Sequence, residues 1–411
     1  MRSGCGGRLS AVAWVVLLAA SGRAAWCASA TVPAVLDHNR MLVEAEFQRK
    51  DGTWRTARLW VDTGNPVFFI SDSLASDLGI EPDKEHAHAA LEGGSVSVPP
   101  PAGVRLGGLE LDFTGVQCAL VHAPRWLFDT MHNDANLPAT ILKRYQVVLD
   151  YPGRSLTLAE PGSLKMRGTP VAARIQPETG IVQMDAQIGD EVVSLALDIG
   201  ASYSFVSDER VERLAREHPD WRRASGAVGC ANIWGWWRQE GSWTVLRVPE
   251  IRWGSVRLDQ VGLVGLARFA EGGPDIGTWY SKKAARRVDG FLGPNAVKAF
   301  RVGIDYADST VYFEKRGEFD VHDMDLVGLT LRLLPDGRYE VVGIASRDGK
   351  PVVEGVEPGD TLLQVDGVTA TGATMGTVVD ALRGRPGERR TLLLERAGRQ
   401  FTVRAIVERL L

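Results

Sequence analysis

Two apolar runs in this chain end in the same acidic turn. Leu59-Trp60-Val61 leads into Asp62-Thr63-Gly64, and Leu195-Ala196-Leu197 leads into Asp198-Ile199-Gly200. Each turn opens into a second apolar run that closes on Ser-Asp: Val67-Phe68-Phe69-Ile70-Ser71-Asp72 and Tyr203-Ser204-Phe205-Val206-Ser207-Asp208. Short runs of β-branched and aromatic residues between turn formers predict strands. Each aspartate is therefore expected at a bend between two strands.

The likeness continues downstream. Val104-Arg105-Leu106-Gly107-Gly108-Leu109-Glu110-Leu111-Asp112 resembles Ile251-Arg252-Trp253-Gly254-Ser255-Val256-Arg257-Leu258-Asp259, each a strand, a tight turn and a strand. Asp134-Ala135-Asn136-Leu137-Pro138 matches Asp289-Gly290-Phe291-Leu292-Gly293. Residues 143–151 match 298–306, each followed by a hairpin turn at Pro152-Gly153 or Ala307-Asp308. Recurring features in one order predict a lobe-length duplication. The lobes are expected to be mostly β, over residues 31–163 and 164–320, with a linker near Glu160-Pro161-Gly162-Ser163. Short helices are expected over 73–78, 208–217 and 295–299.

A third unit is expected over 325–411. Its pattern predicts strands over 329–334, 339–344, 391–395 and 401–406. A turn, strand and turn fill 355–367, and a helix spans 374–382 with Gly384 as its stop.

Length and composition fit this division: 411 residues with 45% hydrophobic content suit two or three globular domains. The N-terminus stands apart. Met1-Arg2 and Arg8 precede the apolar run 11–20, and Ala28-Ser29-Ala30 has the A-x-A form of a cleavage site. Residues 1–30 read as a secretory signal peptide, with an uncleaved anchor as the alternative. No later stretch is long and apolar enough to span a bilayer, so no stable membrane span is expected after cleavage. The net charge is −4, and loss of Arg2, Arg8 and Arg23 makes it more negative. That balance argues against nucleic acid or an anionic membrane surface as partner. Cys118 and Cys230 fall in different repeats; an oxidising compartment permits a disulfide between them without implying one.

A duplication that brings Asp62 and Asp198 face to face offers a way to activate water without a metal. Two adjacent carboxylates share one proton, leaving one as base and one as acid. His86-x-His88 reads as a solvated loop, and no H-E-x-x-H, G-x-S-x-G or P-loop motif occurs. No metal and no organic cofactor are expected.

On these residues, 31–320 resembles the pepsin/retropepsin-like aspartic peptidases. The signature is intact at Val61-Asp62-Thr63-Gly64 and looser at Asp198-Ile199-Gly200-Ala201-Ser202. Asp289-Gly290-Phe291-Leu292-Gly293 resembles the family's later hydrophobic-glycine element. The resemblance implies a bilobal acid-protease-like β fold with Asp62 and Asp198 as the catalytic dyad. Thr63 would tie the two turns together, and Gly64 and Gly200 would let backbone amides approach the carboxylates. Ile199 departs from the usual Thr or Ser, Asn65 from the usual Ser or Ala. Ala135 and Pro138 stand where the second repeat has Gly290 and Gly293. Flaps over the cleft would lie near Gly93-Gly94 and within 229–243, where Trp234, Trp236, Trp237 and Trp243 either grip substrate or fill the core.

Residues 325–411 resemble a PDZ domain of the type found in bacterial envelope proteases, through Glu357-Pro358-Gly359-Asp360 and Val365-Asp366-Gly367. Gly328-Leu329-Thr330-Leu331 would be its carboxylate-binding loop. The unit either binds a protein C-terminus by strand addition or caps the second lobe. The expectation is a periplasmic or secreted aspartic endopeptidase, a monomer acting on extended polypeptide. Two rivals are a catalytically degenerate envelope peptide-binding protein and a peptidase acting on peptidoglycan cross-links.

Overall fold

The computed structural model describes residues 29–82, 95–121, 126–226, 240–268, 275–347 and 350–411. Residues 1–28, the Gly93-Gly94 segment, His86, His88, Trp234, Trp236, Trp237 and Cys230 lie outside them. Strands hold 47% of the chain and helices 13%, so the class is mostly β.

Strand Trp54–Asp62 runs antiparallel to Arg40–Gln48 on one side and parallel to Ala135–Pro138 on the other. Ala135–Pro138 meets Phe68–Ser71 antiparallel, which runs parallel to Cys118–Val121. The second repeat pairs its strands in the same way. Glu191–Leu197 runs antiparallel to Val182–Ile188 and parallel to Gly290–Leu292. Ser204–Ser207 lies antiparallel to Gly290–Leu292 and parallel to Val256–Leu266. Register repeats too: Leu59 faces Ala135 where Leu195 faces Gly290. Leu59, Val61, Leu195 and Leu197 are buried. Each such side chain removed from water contributes about 1.5–3 kcal/mol, which fixes the strands that end at the aspartates.

Each Ser-Asp that closes an apolar run starts a helix. Ser71 caps Asp72–Leu78 by accepting from Leu74 N, and Ser207 caps Asp208–Glu217 by accepting from Arg210 N. The expected helix at 295–299 is instead a single 3₁₀ turn, Pro294–Ala296. The turn ends at Val297, whose φ of −117° leaves the helical range, and the chain enters strand Phe300–Asp305 three residues later. Helices Trp126–Asp129, Ala139–Leu142 and Ile276–Ser281 carry too little periodic pattern to be read from sequence.

Six strands join the repeats: Thr169–Ala172, Thr310–Lys315, Phe300–Asp305, Gln146–Asp150, Ser155–Ala159 and Ser29–Asp37. At their centre Gln146–Asp150 pairs antiparallel with Phe300–Asp305. Val148 faces Gly303, and these occupy matching places in the two repeats. The duplication is thus arranged about a local two-fold through that pair. Residues 160–163, where the linker was expected, form no strand or helix.

The third unit is a sheet in the order Leu329–Leu333, Tyr339–Ile344, Thr361–Val365, Arg389–Arg396, Arg399–Ile406, with helix Met375–Leu382 capped by Thr374. It sits directly on the two repeats. Glu240, buried in the second repeat, pairs with Arg332 at 2.7 Å. Met375 N donates to Thr130 O at 2.7 Å, and Gly376 N donates to Asp37 Oδ1 at 2.8 Å. The approach segment adds a buried ion pair, Arg247 with Asp323 at 2.8 Å. Such a pair costs several kcal/mol if one partner is lost. No helix among the described residues is long and apolar enough to cross a membrane.

Candidate active site

Asp62 ends strand Trp54–Asp62 opposite Pro138, and Asp198 follows strand Glu191–Leu197 with its amide donating to Leu292 O at 2.9 Å. Each carboxylate is turned back onto its own loop. Gly64 N donates to Asp62 Oδ1 and Ala201 N to Asp198 Oδ1, both at 3.1 Å. A Cβ at Gly64 would overlap the Asp198 carboxyl, and one at Gly200 would overlap the Asp62 carboxyl. That reciprocity sets each carboxylate against the other repeat's turn. Glycine is required at both positions for close approach rather than for an unusual backbone angle.

Thr63 ties the two turns. Its hydroxyl donates to Leu197 O at 2.7 Å and accepts from Ile199 N at 3.0 Å. Ile199 is fully buried and returns no such bond, so the tie runs in one direction only. Asn65 folds its own loop, with Oδ1 accepting from Val67 N at 3.1 Å. Asn136 explains how the first repeat manages with Ala135 and Pro138. Its side chain accepts from Phe69 N at 2.7 Å and donates to Val67 O at 3.0 Å, replacing ladder bonds that a closer strand would make.

Asp62 and Asp198 are 3% and 9% exposed. Burial pushes Asp62 up to about 8, aided by the Asp198 charge and opposed by the Gly64 amide and Asn136. Burial pushes Asp198 up to about 6, against the amides of Ala201 and Gly200, the Tyr280 hydroxyl and the Arg40 charge. Two such carboxyls titrate as a unit and hold one proton between them near neutral pH. The arrangement can present a base and an acid side by side.

Two residues at this site carry no sequence motif. Tyr280 Oη lies 2.7 Å from Gly64 O and 3.4 Å from Asp198 Oδ2. Arg40, 1% exposed, donates from Nε to Gly200 O at 2.8 Å and from Nη1 to Met375 Sδ at 3.4 Å. Its neighbours hold the same loop: Asn39 donates to Ser202 O at 2.8 Å, and His38 Nε2 lies 3.2 Å from Tyr203 Oη. His38 and Asn39 have φ of 44° and 70°, the mark of a tight hairpin turn. Asp-His-Asn-Arg between two apolar runs is the signal that could have located the turn, although not its target.

The remaining expected site residues divide. Gly93, Gly94, Trp234, Trp236 and Trp237 lie outside the described residues. Trp243 is buried edge-on against Phe205 with ring centroids 6.1 Å apart, a core position. In the third unit Gly328, Leu329, Thr330 and Leu331 are all buried, and Leu329 and Leu331 face Ile344 and Val341 across the ladder. Cys118 is a buried free thiol, pushed up to about 12 by burial. Among the described residues no cluster of His, Cys, Asp and Glu could hold a metal. No model of a known protein family matches this chain, and no curated protein matches it.

Proposed function

We propose that the chain is an exported aspartic-type endopeptidase, with a bilobal acid-protease-like core and a C-terminal PDZ-like unit. The observation that carries this reading is the mutual seating of Asp62 and Asp198, each against the glycine of the opposite turn. Burial and mutual repulsion support a shared proton. The ionised member removes a proton from a water held between the carboxyls. The protonated member polarises the peptide carbonyl and then helps protonate the leaving amine. Thr63, Gly64 and Gly200 hold the pair, and the reaction needs no metal or organic cofactor. The substrate is an extended polypeptide strand, and one chain supplies both aspartates.

The test is cleavage of a peptide library by the purified chain, beside Asp62→Asn and Asp198→Asn. Each variant should lose cleavage while keeping the parent's circular dichroism spectrum. Parent-like cleavage by either would remove the reading. The near-complete burial of both carboxyls and the missing hydroxyl at Ile199 favour a second reading, a non-catalytic envelope binding protein. It predicts peptide binding by the parent without cleavage. For the third unit, the burial of 328–331 favours a capping role over capture of a protein C-terminus.

A further inference from the structure

Tyr280 is held by its helix, Ile276–Ser281. Asp275 starts that helix by accepting from Thr278 N at 2.8 Å. Ser281 anchors its end, accepting from Val288 N at 2.9 Å and donating to Gly277 O at 2.6 Å. The tyrosine ring packs on Phe291, centroids 5.5 Å apart, in the strand beside Leu195–Leu197. The ring is 1% exposed and has no room to swing. What can rotate is the hydroxyl proton.

A phenol has one proton to give. The Gly64 carbonyl can only accept, and 2.7 Å is the ordinary length of a good O–H···O bond, so the proton rests there. At 3.4 Å from Asp198 Oδ2 the same oxygen can then only accept, which suits a protonated Asp198. An ionised carboxylate is the stronger acceptor. Ionisation of Asp198 therefore draws the hydroxyl proton away from Gly64 O. No proton is transferred; one O–H bond rotates.

We propose that Tyr280 is a positioning residue of the pair, a movable donor that serves Gly64 O while Asp198 is protonated and Asp198 Oδ2 once it is ionised. From a distant helix it brings a hydroxyl to Gly64 O and Asp198 Oδ2, a contact distinct from the Thr63 tie. The inference rests on Asp62 and Asp198 being the working pair. The other charged or titratable groups felt at the pair are Arg40, Lys283 and the buried phenol of Tyr151. Burial and the two aspartates hold the Tyr280 phenol well above its ordinary value, so it stays a neutral donor.

The experiment is a carboxyl NMR titration of the full chain labelled with 13Cγ-aspartate, run beside peptide cleavage. Three proteins are compared: the parent, Tyr280→Phe, and the chain with 3,5-difluorotyrosine at 280, whose hydroxyl is the stronger donor. Loss of the donor should raise the apparent pKa of the first proton lost from the pair by about one unit. The fluorinated chain should shift it the opposite way. The acid limb of kcat should move with each titration while KM stays constant. Superimposable titrations in all three overturn the proposal. Shifted titrations without cleavage by any of the three leave Tyr280's role standing and remove the peptidase reading. Cleavage with unmoved titrations does the reverse. If Tyr280→Phe fails to fold, the direction of shift in the fluorinated chain decides.

Discussion

The Ile199 amide donates to the Thr63 hydroxyl across the junction of the two repeats, and the Ile199 side chain gives nothing back. One residue thus carries a tie that a symmetric duplication would carry twice. Thr63→Val keeps the shape and removes the hydroxyl, leaving Leu197 O and Ile199 N without their partner in a buried place. Each such orphan costs about 1–3 kcal/mol. Denaturant unfolding should show a loss of at least about 2 kcal/mol, and Thr63→Ser should recover most of it.

Gly64→Ala and Gly200→Ala test how tightly the turns are pressed together. The added methyl of each would fall on the opposite carboxyl, a buried polar group that shares one proton with its partner. Each substitution should destabilise by about 2–3 kcal/mol, measured by thermal and denaturant melts. Each should also weaken the coupling of the pair, drawing its two apparent pKa values together in carboxyl NMR. Gly317→Ala, where the backbone angle is ordinary and an added Cβ would meet nothing closer than Pro152 at 3.5 Å, is the control for glycine replacement in general.

Stability should fall as pH rises. Both aspartates hold their protons more tightly in the folded chain than in the unfolded one, where the ordinary value is near 4. Their contribution is fully present below about pH 4. It is lost as pH climbs through the folded values of about 6 and 8. Each retained proton gives a slope of about −1.4 kcal/mol per pH unit. Urea melts between pH 4 and 9 should show this decline, and Asp62→Asn should flatten it. A stability that rises over that window would contradict the placement of the pair.

Asp37 and Gly376 test the seating of the third unit. A Cβ at Gly376 would meet the His38 amide and the Asp37 carboxyl within 2.7 Å. Gly376→Ala should lift the Met375–Leu382 helix from the hairpin turn. Hydrogen exchange should then speed up at Gly200–Ser202 as well as in the third unit, because Arg40 and Asn39 bridge the two places. Faster exchange confined to the third unit would show that the turn holds without it.

Much of this was legible in the chain itself. The repeat showed because each half must satisfy the same strand register, so Leu59 and Leu195 recur with their partners Ala135 and Gly290. The aspartates showed because close approach restricts the positions after them to glycine. Tyr280 and Arg40 were not legible, and for one physical reason. Both act through a long side chain that reaches the turns from elements elsewhere in the sequence, and no local spacing encodes such a reach. Asn136 was hidden differently: its side chain imitates backbone ladder bonds, so the residue reads as an ordinary strand position.

Glu240 is 1% exposed and is neutralised by an arginine more than ninety positions later, while Arg247 relies on Asp323. A fragment ending at residue 320 would expose those charges unbalanced and bare the carbonyl of Thr130. The last ninety residues are thus no detachable accessory. Trimming the chain to its paired repeats would remove part of their foundation, including the Met375 contact of the arginine that braces the Gly200 loop.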